Sequence, residues 1–498
     1  MSHGYIAIDL GAESGRAIVG TLAEGKLALE EVHRFPHEIV RLPTGLHWDV
    51  THLWREIVEG LRKAAAWAGD HKAKLVSVGV DTWGVDWALI GPSGELIGLP
   101  HAYRDPRNRQ AYDQAVDRLG EDLIYQSTGI QFMEINSLYS LYAQCSQGRE
   151  LIDASDRLLF MPDLFHYWLS GEMATEATIA STSQMVDCHS GEWATELLEK
   201  LGVPAKILGR ISPPATQVGT ILPDLAADTG LPDDLMVVAP GSHDTASAVA
   251  AAPAVKSDNW CYLSSGTWSL LGAELEEPCV SDAAQAAMFT NERGVGGKIR
   301  FLKNIAGLWL VQECRRDLAK QGEQFDYVEL TQQAAAAEEF RTLVDPSHGP
   351  FQTPGNMLEK IRQFACGSSQ PEPETPGQFV RCCLESLALT YRRTLLQLEK
   401  VLEREYTTLH IVGGGGQNSL LNEMTAAATG RTVLVGPFEA TAIGNTLAQA
   451  IAAGDLADLN ELRTVVANSF DLQLYEPLSA DSWLVAYDRY LDLLGDAI

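Results

Sequence analysis

Leu235-Met236-Val237-Val238-Ala239-Pro240 runs straight into Gly241-Ser242-His243-Asp244-Thr245-Ala246-Ser247-Ala248. The first part is an apolar run of strand length. The small residues Ala246 to Ala252 can open a helix. A strand that ends at a carboxylate and turns into a helix belongs to an α/β sheet. Such sheets place their chemistry beyond the carboxyl ends of their strands. Asp244 is therefore the first candidate for a reacting group, and the small neighbours Gly241 and Ser242 leave room beside the backbone. The plainer reading is an Asp that caps a helix.

The surrounding composition narrows the class. A chain of 498 residues, 46% apolar and 21% charged, has the profile of a globular protein with two domains. A net charge of −29 argues against nucleic acid or an anionic membrane as partner and suits a cytoplasmic protein. Anionic ligands must then be held by local N–H groups, a metal ion and a few cations. Eight cysteines show neither CxxC nor zinc spacing and read as reduced, mostly buried thiols. The first strand pattern starts at Tyr5, so no signal peptide is expected, and no run is long enough to span a membrane.

Two hairpins echo each other. Tyr5–Leu10 reads as a strand, Gly11-Ala12-Glu13-Ser14-Gly15 as a tight tip, and Arg16–Gly20 as the returning strand. Successive N–H groups at such a tip can cradle a phosphate. Asp9 ends its strand beside the tip and could hold Mg²⁺ through water. The second hairpin is Trp260–Leu263, Ser264-Ser265-Gly266-Thr267, Trp268–Gly272. Two copies of one device suggest a duplicated architecture with a nucleotide between the halves. Neither tip is a P-loop or a dinucleotide fingerprint.

Other stretches add candidate binding groups. Leu75–Asp81 is a strand, and the Trp83-Gly84 step after it offers an aromatic wall and open backbone suited to a sugar. Equally, Trp83 can be core. Lys303–Gln312 is expected to begin a helix with Asn304 near its start. Leu409–Val412, the run Gly413-Gly414-Gly415-Gly416 and a helix opening at Gln417–Asn422 put bare backbone where a flat ligand or phosphate can approach.

The motifs DTWGVDW, SHDTAS, SSGTWSLLG and IVGGGGQN, together with the two hairpins, resemble the FGGY carbohydrate kinases from about Ile6 to about Ile451. DLGAESGR, GLPHAYRDPR and LKNIAGLWL tie the resemblance to the branch that phosphorylates L-rhamnulose at its C1 hydroxyl. The resemblance implies two ribonuclease H-like, actin-like ATPase domains of α/β class, 1–245 for sugar and 246–498 for nucleotide, with the active site in the cleft between them. It implies ATP and Mg²⁺, with Asp244 as general base. Trp83, Gly84, His243, Asp244, Thr245 and Asn304 would meet the sugar. Ala12, Glu13, Ser14, Gly15, Arg16, Thr267, Gln312 and Gly414 would meet ATP, and Asp9 would serve the metal through water. A monomer and a homodimer both fit. Two departures bear on nucleotide affinity: Gly416 stands where a larger residue is expected, and Glu13 stands near phosphates. The alternatives are a kinase for another ketose such as L-fuculose, a sugar sensor without activity, or an actin- or Hsp70-like nucleotide switch.

Overall fold

The computed structural model describes residues 3–254, 259–477 and 481–495. The chain forms two compact units. The first takes in Met1–Val255, Glu274–Phe301 and Ala440–Phe470, and the second takes in Lys256–Ala273, Leu302–Glu439 and Asp471–Ile498. A single cut at 245/246 does not express this division, because two later segments return to pack on the first unit.

In the first unit the described residues form a six-stranded sheet. Its order is Thr216–Thr220, Met236–Ala239, Lys74–Thr82, His3–Leu10, Ser14–Ala23, Lys26–Pro36. The expected N-terminal hairpin is present, with His3–Leu10 antiparallel to Ser14–Ala23. His3–Leu10 also runs parallel to Lys74–Thr82, which runs parallel to Met236–Ala239. Alternate residues of these strands serve opposite faces. Ile6, Ile8, Val78 and Val80 join a core with Leu53, Ile57 and Leu61 of the helix Val50–His71. Ala7 and Ile18 pack on Ala442 of the helix Ala440–Ala452.

The second unit repeats this plan. Trp260–Ser265 and Trp268–Leu275 make the second expected hairpin. Trp260–Ser265 runs parallel to Thr408–Val412, which runs parallel to Thr432–Val435, and Gln473–Tyr475 closes that edge antiparallel. The first unit has the same sequence of relations: hairpin, two parallel strands, antiparallel edge. The helix Pro376–Leu402 starts at a capping box of Thr375 and Gln378, with Pro at its first turn, and buries Phe379, Leu387, Tyr391 and Leu398. One expectation is corrected. Asn304 lies on the strand Ile299–Ala306, and the helix begins only at Trp309. Gly307 fits the turn between them because a β-carbon there would stand 2.7 Å from the Gly266 carbonyl oxygen.

The helix Asp244–Ala250 lies against Ala440–Ala452 at very close range. A β-carbon on Gly444 would collide with the backbone carbonyl of Ser247. Gly444→Ala would gain about 1 kcal/mol of helix propensity. Overpacking against backbone costs roughly 1–3 kcal/mol and cannot be relieved by a rotamer change. The clash should win. A lowered urea midpoint for Gly444→Ala is expected; an unchanged or raised midpoint would show that the two helices can move apart freely.

Candidate active site

Three strand ends of the first unit converge on one place. Asp9 is in register with Asp81 on the neighbouring strand. The Thr82 amide donates to the Ser242 carbonyl at 2.9 Å, and the Trp83 amide to the Leu10 carbonyl at 3.1 Å. Thr82 and His243 are bridged. Asp244 then opens its helix. The result is a group of carboxylates, Asp9, Asp81 and Asp244, that sense one another electrostatically. Burial raises the pKa of Asp81 well above the usual carboxylate range, and the charge of Asp9 adds to this while Asn445 opposes it. Asn445 donates to Asp81 Oδ2 at 2.6 Å, and Oδ1 is buried with no hydrogen-bond partner among the described residues. Burial also raises Asp244; His243 works against that and Asp9 with it. Asp9 is ion-paired with Arg16 from the returning strand.

Asp244 has one side open. Its side chain keeps 29% of its surface exposed. The amide and the hydroxyl of Thr245 both donate to Oδ1, the hydroxyl at 3.0 Å. His243 Nε2 lies 3.4 Å from the same oxygen. Gly84 is next to this ring, since a β-carbon there would stand 3.4 Å from His243 Nε2. The carboxylate of Glu176 accepts from the Ser242 amide, and Thr178 Oγ1 from the His243 amide, which ties down the turn before Asp244.

Trp83 is 5% exposed and packs on Trp48 with ring centroids 4.1 Å apart. It backs the site with its ring inside the core. The indole N–H groups of Trp48 and Trp83 both donate to Asp86 Oδ2, at 2.5 and 2.9 Å. His37 packs on the same two indoles and lies 2.7 Å, through Nε2, from the Gly11 carbonyl at the hairpin tip. Val85 sits between, in the left-handed region at φ 70°, which a β-branched residue rarely adopts. Thr182 accepts its N–H and Ser137 donates to its carbonyl. At the tip itself, Ala12 and Glu13 are exposed, Ser14 and Arg16 are half-buried and Gly15 is buried.

A second cluster forms in the second unit. Gln312 Nε2 donates to Thr267 Oγ1 at 3.1 Å, and Gln312 Oε1 is buried with no hydrogen-bond partner among the described residues. The amides of Gly307 and Trp309 donate to the Thr267 carbonyl. The glycine run packs on the same turn. Gly413 has φ 90° and its β-carbon would meet the Ser265 carbonyl at 2.9 Å; one on Gly415 would overlap Ser265. One on Gly416 would stand 2.9 Å from Val435, which explains why no larger residue occupies that position. Gly414 alone of the four has open space where a β-carbon would point. Asn304 is half-buried on its strand in this unit.

Several of these residues escape a reading of motifs. Asp81 could have been found, because it holds the place on its strand that Asp9 holds next door. Glu176, Glu292 and Arg300 give no local signal. Among the described residues no three His, Cys, Asp or Glu side chains are grouped to hold a metal directly. A hard cation would suit the carboxylate of Asp9 through its water shell.

The N-terminal domain of the FGGY family of carbohydrate kinases matches residues 4–251, and its C-terminal domain matches residues 261–453. The chain belongs to this family. It is 42% identical over 491 residues to a protein of Bacteroides thetaiotaomicron named Rhamnulokinase, covering 98% of this chain and 99% of that one. A protein of Bacillus subtilis with the same name is 38% identical, at 96% coverage of both. The fold is that of xylulose kinase from Lactobacillus acidophilus, with a TM-score of 0.82 at 14% identity over 99% of this chain and 98% of that one. Glycerol kinase from Plasmodium falciparum gives 0.78 at 14% identity, over 100% and 99% of the two chains. The two sheets are thus those of an actin-like ATPase, and the protein is a sugar kinase that uses ATP. No helix among the described residues is long and apolar enough to cross a membrane.

Asp86 makes a pH test possible. Burial raises its pKa from 3.8 to about 7, against the pull of the Trp48 and Trp83 donors. A carboxyl raised in the folded state contributes stability that is full below about pH 4 and lost as pH rises through 7. Three pH units correspond to about 4 kcal/mol at most. Asp86→Asn should therefore gain on the parent between pH 5 and pH 8 when urea midpoints are compared. Parallel curves across that range would mean that Asp86 is ionised throughout.

Proposed function

We propose that this chain transfers the γ-phosphoryl group of ATP to the C1 hydroxyl of L-rhamnulose, giving L-rhamnulose 1-phosphate and ADP in the cytoplasm. The supporting observation is the identity of 36–42% to proteins named Rhamnulokinase over nearly the full chain. Asp244 takes the proton from the attacking hydroxyl. Burial raises its pKa above the ordinary carboxylate value, so the rate should fall as pH drops through the raised pKa and the base becomes protonated. Gly84, His243, Thr245 and Asn304 contact the sugar, with Trp83 behind them. Ala12–Arg16, Thr267, Gln312 and Gly414 hold the nucleotide, and Asp9 is the residue that would hold Mg²⁺. When bound, Mg²⁺ neutralises phosphate charge. The chain's own part is to orient the hydroxyl and its base, and to present N–H groups and Arg16 to the phosphates.

Asp244→Asn keeps shape and removes basicity. A fall in kcat of roughly 10²–10⁴-fold with sugar binding retained is expected. Near-normal turnover would remove Asp244 from this role. Comparing kcat/KM for L-rhamnulose, L-fuculose and D-xylulose tests the substrate, and a clear preference for either of the last two would reassign it within the family.

The glycine run offers a paired test. Gly414→Val places a side chain in the open space and should weaken ATP binding with folding intact, because no atom of the described residues lies within 4 Å of its β-carbon. Gly415→Val should instead destabilise the fold through Ser265. Isothermal titration with a non-hydrolysable ATP analogue, next to thermal melts, distinguishes the two. Unchanged nucleotide affinity in Gly414→Val would move the nucleotide elsewhere.

A further inference from the structure

Behind His243 lies a buried ion pair that no motif announces. Arg300 is fully buried on the strand Ile299–Ala306, and Glu292 is 5% exposed on Thr290–Arg293. Arg300 Nη2 donates to Glu292 Oε2 at 2.8 Å, and Nε donates to the Arg293 carbonyl at 3.0 Å. The same Nη2 stands 3.0 Å from Nδ1 of His243, with hydrogen-bond geometry. Glu292 Oε2 is also near that nitrogen, at 3.3 Å.

We propose that Arg300, anchored by Glu292, keeps the ring proton of His243 on Nε2, so that the ring is a donor toward Asp244 Oδ1 and the sugar while Asp244 Oδ2 is left as the basic oxygen. A guanidinium has donors only. With Arg300 donating at 3.0 Å, Nδ1 accepts and the ring proton is on Nε2; the competing acceptor for an Nδ1 proton, Glu292 Oε2 at 3.3 Å, is itself taken by Arg300 at 2.8 Å. The opposite arrangement would aim two N–H groups at each other. Nε2 faces Asp244 Oδ1 at 3.4 Å, beside the bare backbone of Gly84. Two donors thus meet at Oδ1, the Thr245 amide and the Thr245 hydroxyl, and His243 Nε2 stands beside the same oxygen at 3.4 Å. Oδ2 accepts from none of the described residues. Donors on one oxygen fix the plane of the carboxylate and direct the other outward, where a hydroxyl can deliver its proton. Arg300 and Glu292 are positioning residues in this arrangement and touch no substrate.

The inference also constrains the sugar. A histidine held as an Nε2 donor recognises an oxygen that can accept, next to the hydroxyl that Asp244 deprotonates. A ligand with a donor fixed at that place would leave two donors facing each other.

This rests on Asp244 being the base, yet its test needs no turnover. Long-range ¹H–¹⁵N correlation of ¹⁵N-histidine-labelled protein reads which ring nitrogen carries the proton, and His243→Asn assigns the signal. A neutral ring with its proton on Nε2 at pH 7.5 is expected. A proton on Nδ1, or on both nitrogens, would overturn the proposal. In Arg300→Met the proton should move to Nδ1, toward Glu292, and kcat/KM should drop by roughly 10–100-fold, mostly in kcat. An unmoved proton with an unchanged rate overturns it as well. Should that variant fail to fold, Arg300→Lys, with a single ammonium for both partners, should mix the two tautomers. A pure Nε2–H signal there counts against the geometry of the guanidinium. If Asp244→Asn turns over normally while the tautomer is as stated, the base has been misassigned and the ion pair has not.

Discussion

The parallel register of Asp9 with Asp81 is the constraint on which the site depends. It delivers two carboxylates to the same sheet edge, and the continuation from Thr82 to Ser242 brings a third, Asp244. Carboxylates in one poorly solvated place repel each other and resist ionisation. Each is met by its own partner: Arg16 on Asp9, Asn445 on Asp81, Thr245 and His243 about Asp244. The need for Asn445 gives a chemical reason for the return of residues 440–470 to the first unit. That helix also sends Gln449 to the Ile6 carbonyl and accepts from Ser77, so polar groups of two neighbouring strands are satisfied by one late segment.

The two units share a topology and diverge in chemistry at the same point of it. The first ends its central strands in acids. The second ends the equivalent strands at Ser265 and at a glycine run. The contrast fits two ligands of different charge. A neutral sugar tolerates carboxylates and needs one as a base. An anionic nucleotide is better met by hydroxyls, an amide and bare N–H groups.

The parts of this legible in the sequence are local. Each hairpin is closed by its own tip, and Asp244 stands at the junction of an apolar run and a small-residue helix, so neither needs distant information. Asn304 was misplaced because Lys303–Gln312 can be read with helical spacing; what breaks the helix is the contact of Gly307 with Gly266, forty-one residues away. Trp83 was visible as an aromatic, but its burial depends on Trp48, which a loop and a helix separate from it. Arg300 and Glu292 reach His243 from about fifty residues away, and only the fold shows that they meet.

The charge balance follows from the same local logic. With a net charge of −29, the chain repels an anionic nucleotide at long range, and salt weakens that repulsion over about 10 Å. Binding must then come from short-range devices. In the proposed nucleotide site Arg16 would be such a device; its ion pair with Asp9 lies at the base of the hairpin whose tip is formed by Ala12 and Glu13. The tip in turn is braced by His37 against the Trp48–Trp83 stack, and that stack by Asp86. A phosphate arriving there would meet a backbone already fixed. The ordering cost has then been met in folding, so a phosphate bound there, as proposed, would lose less to the ordering of the loop.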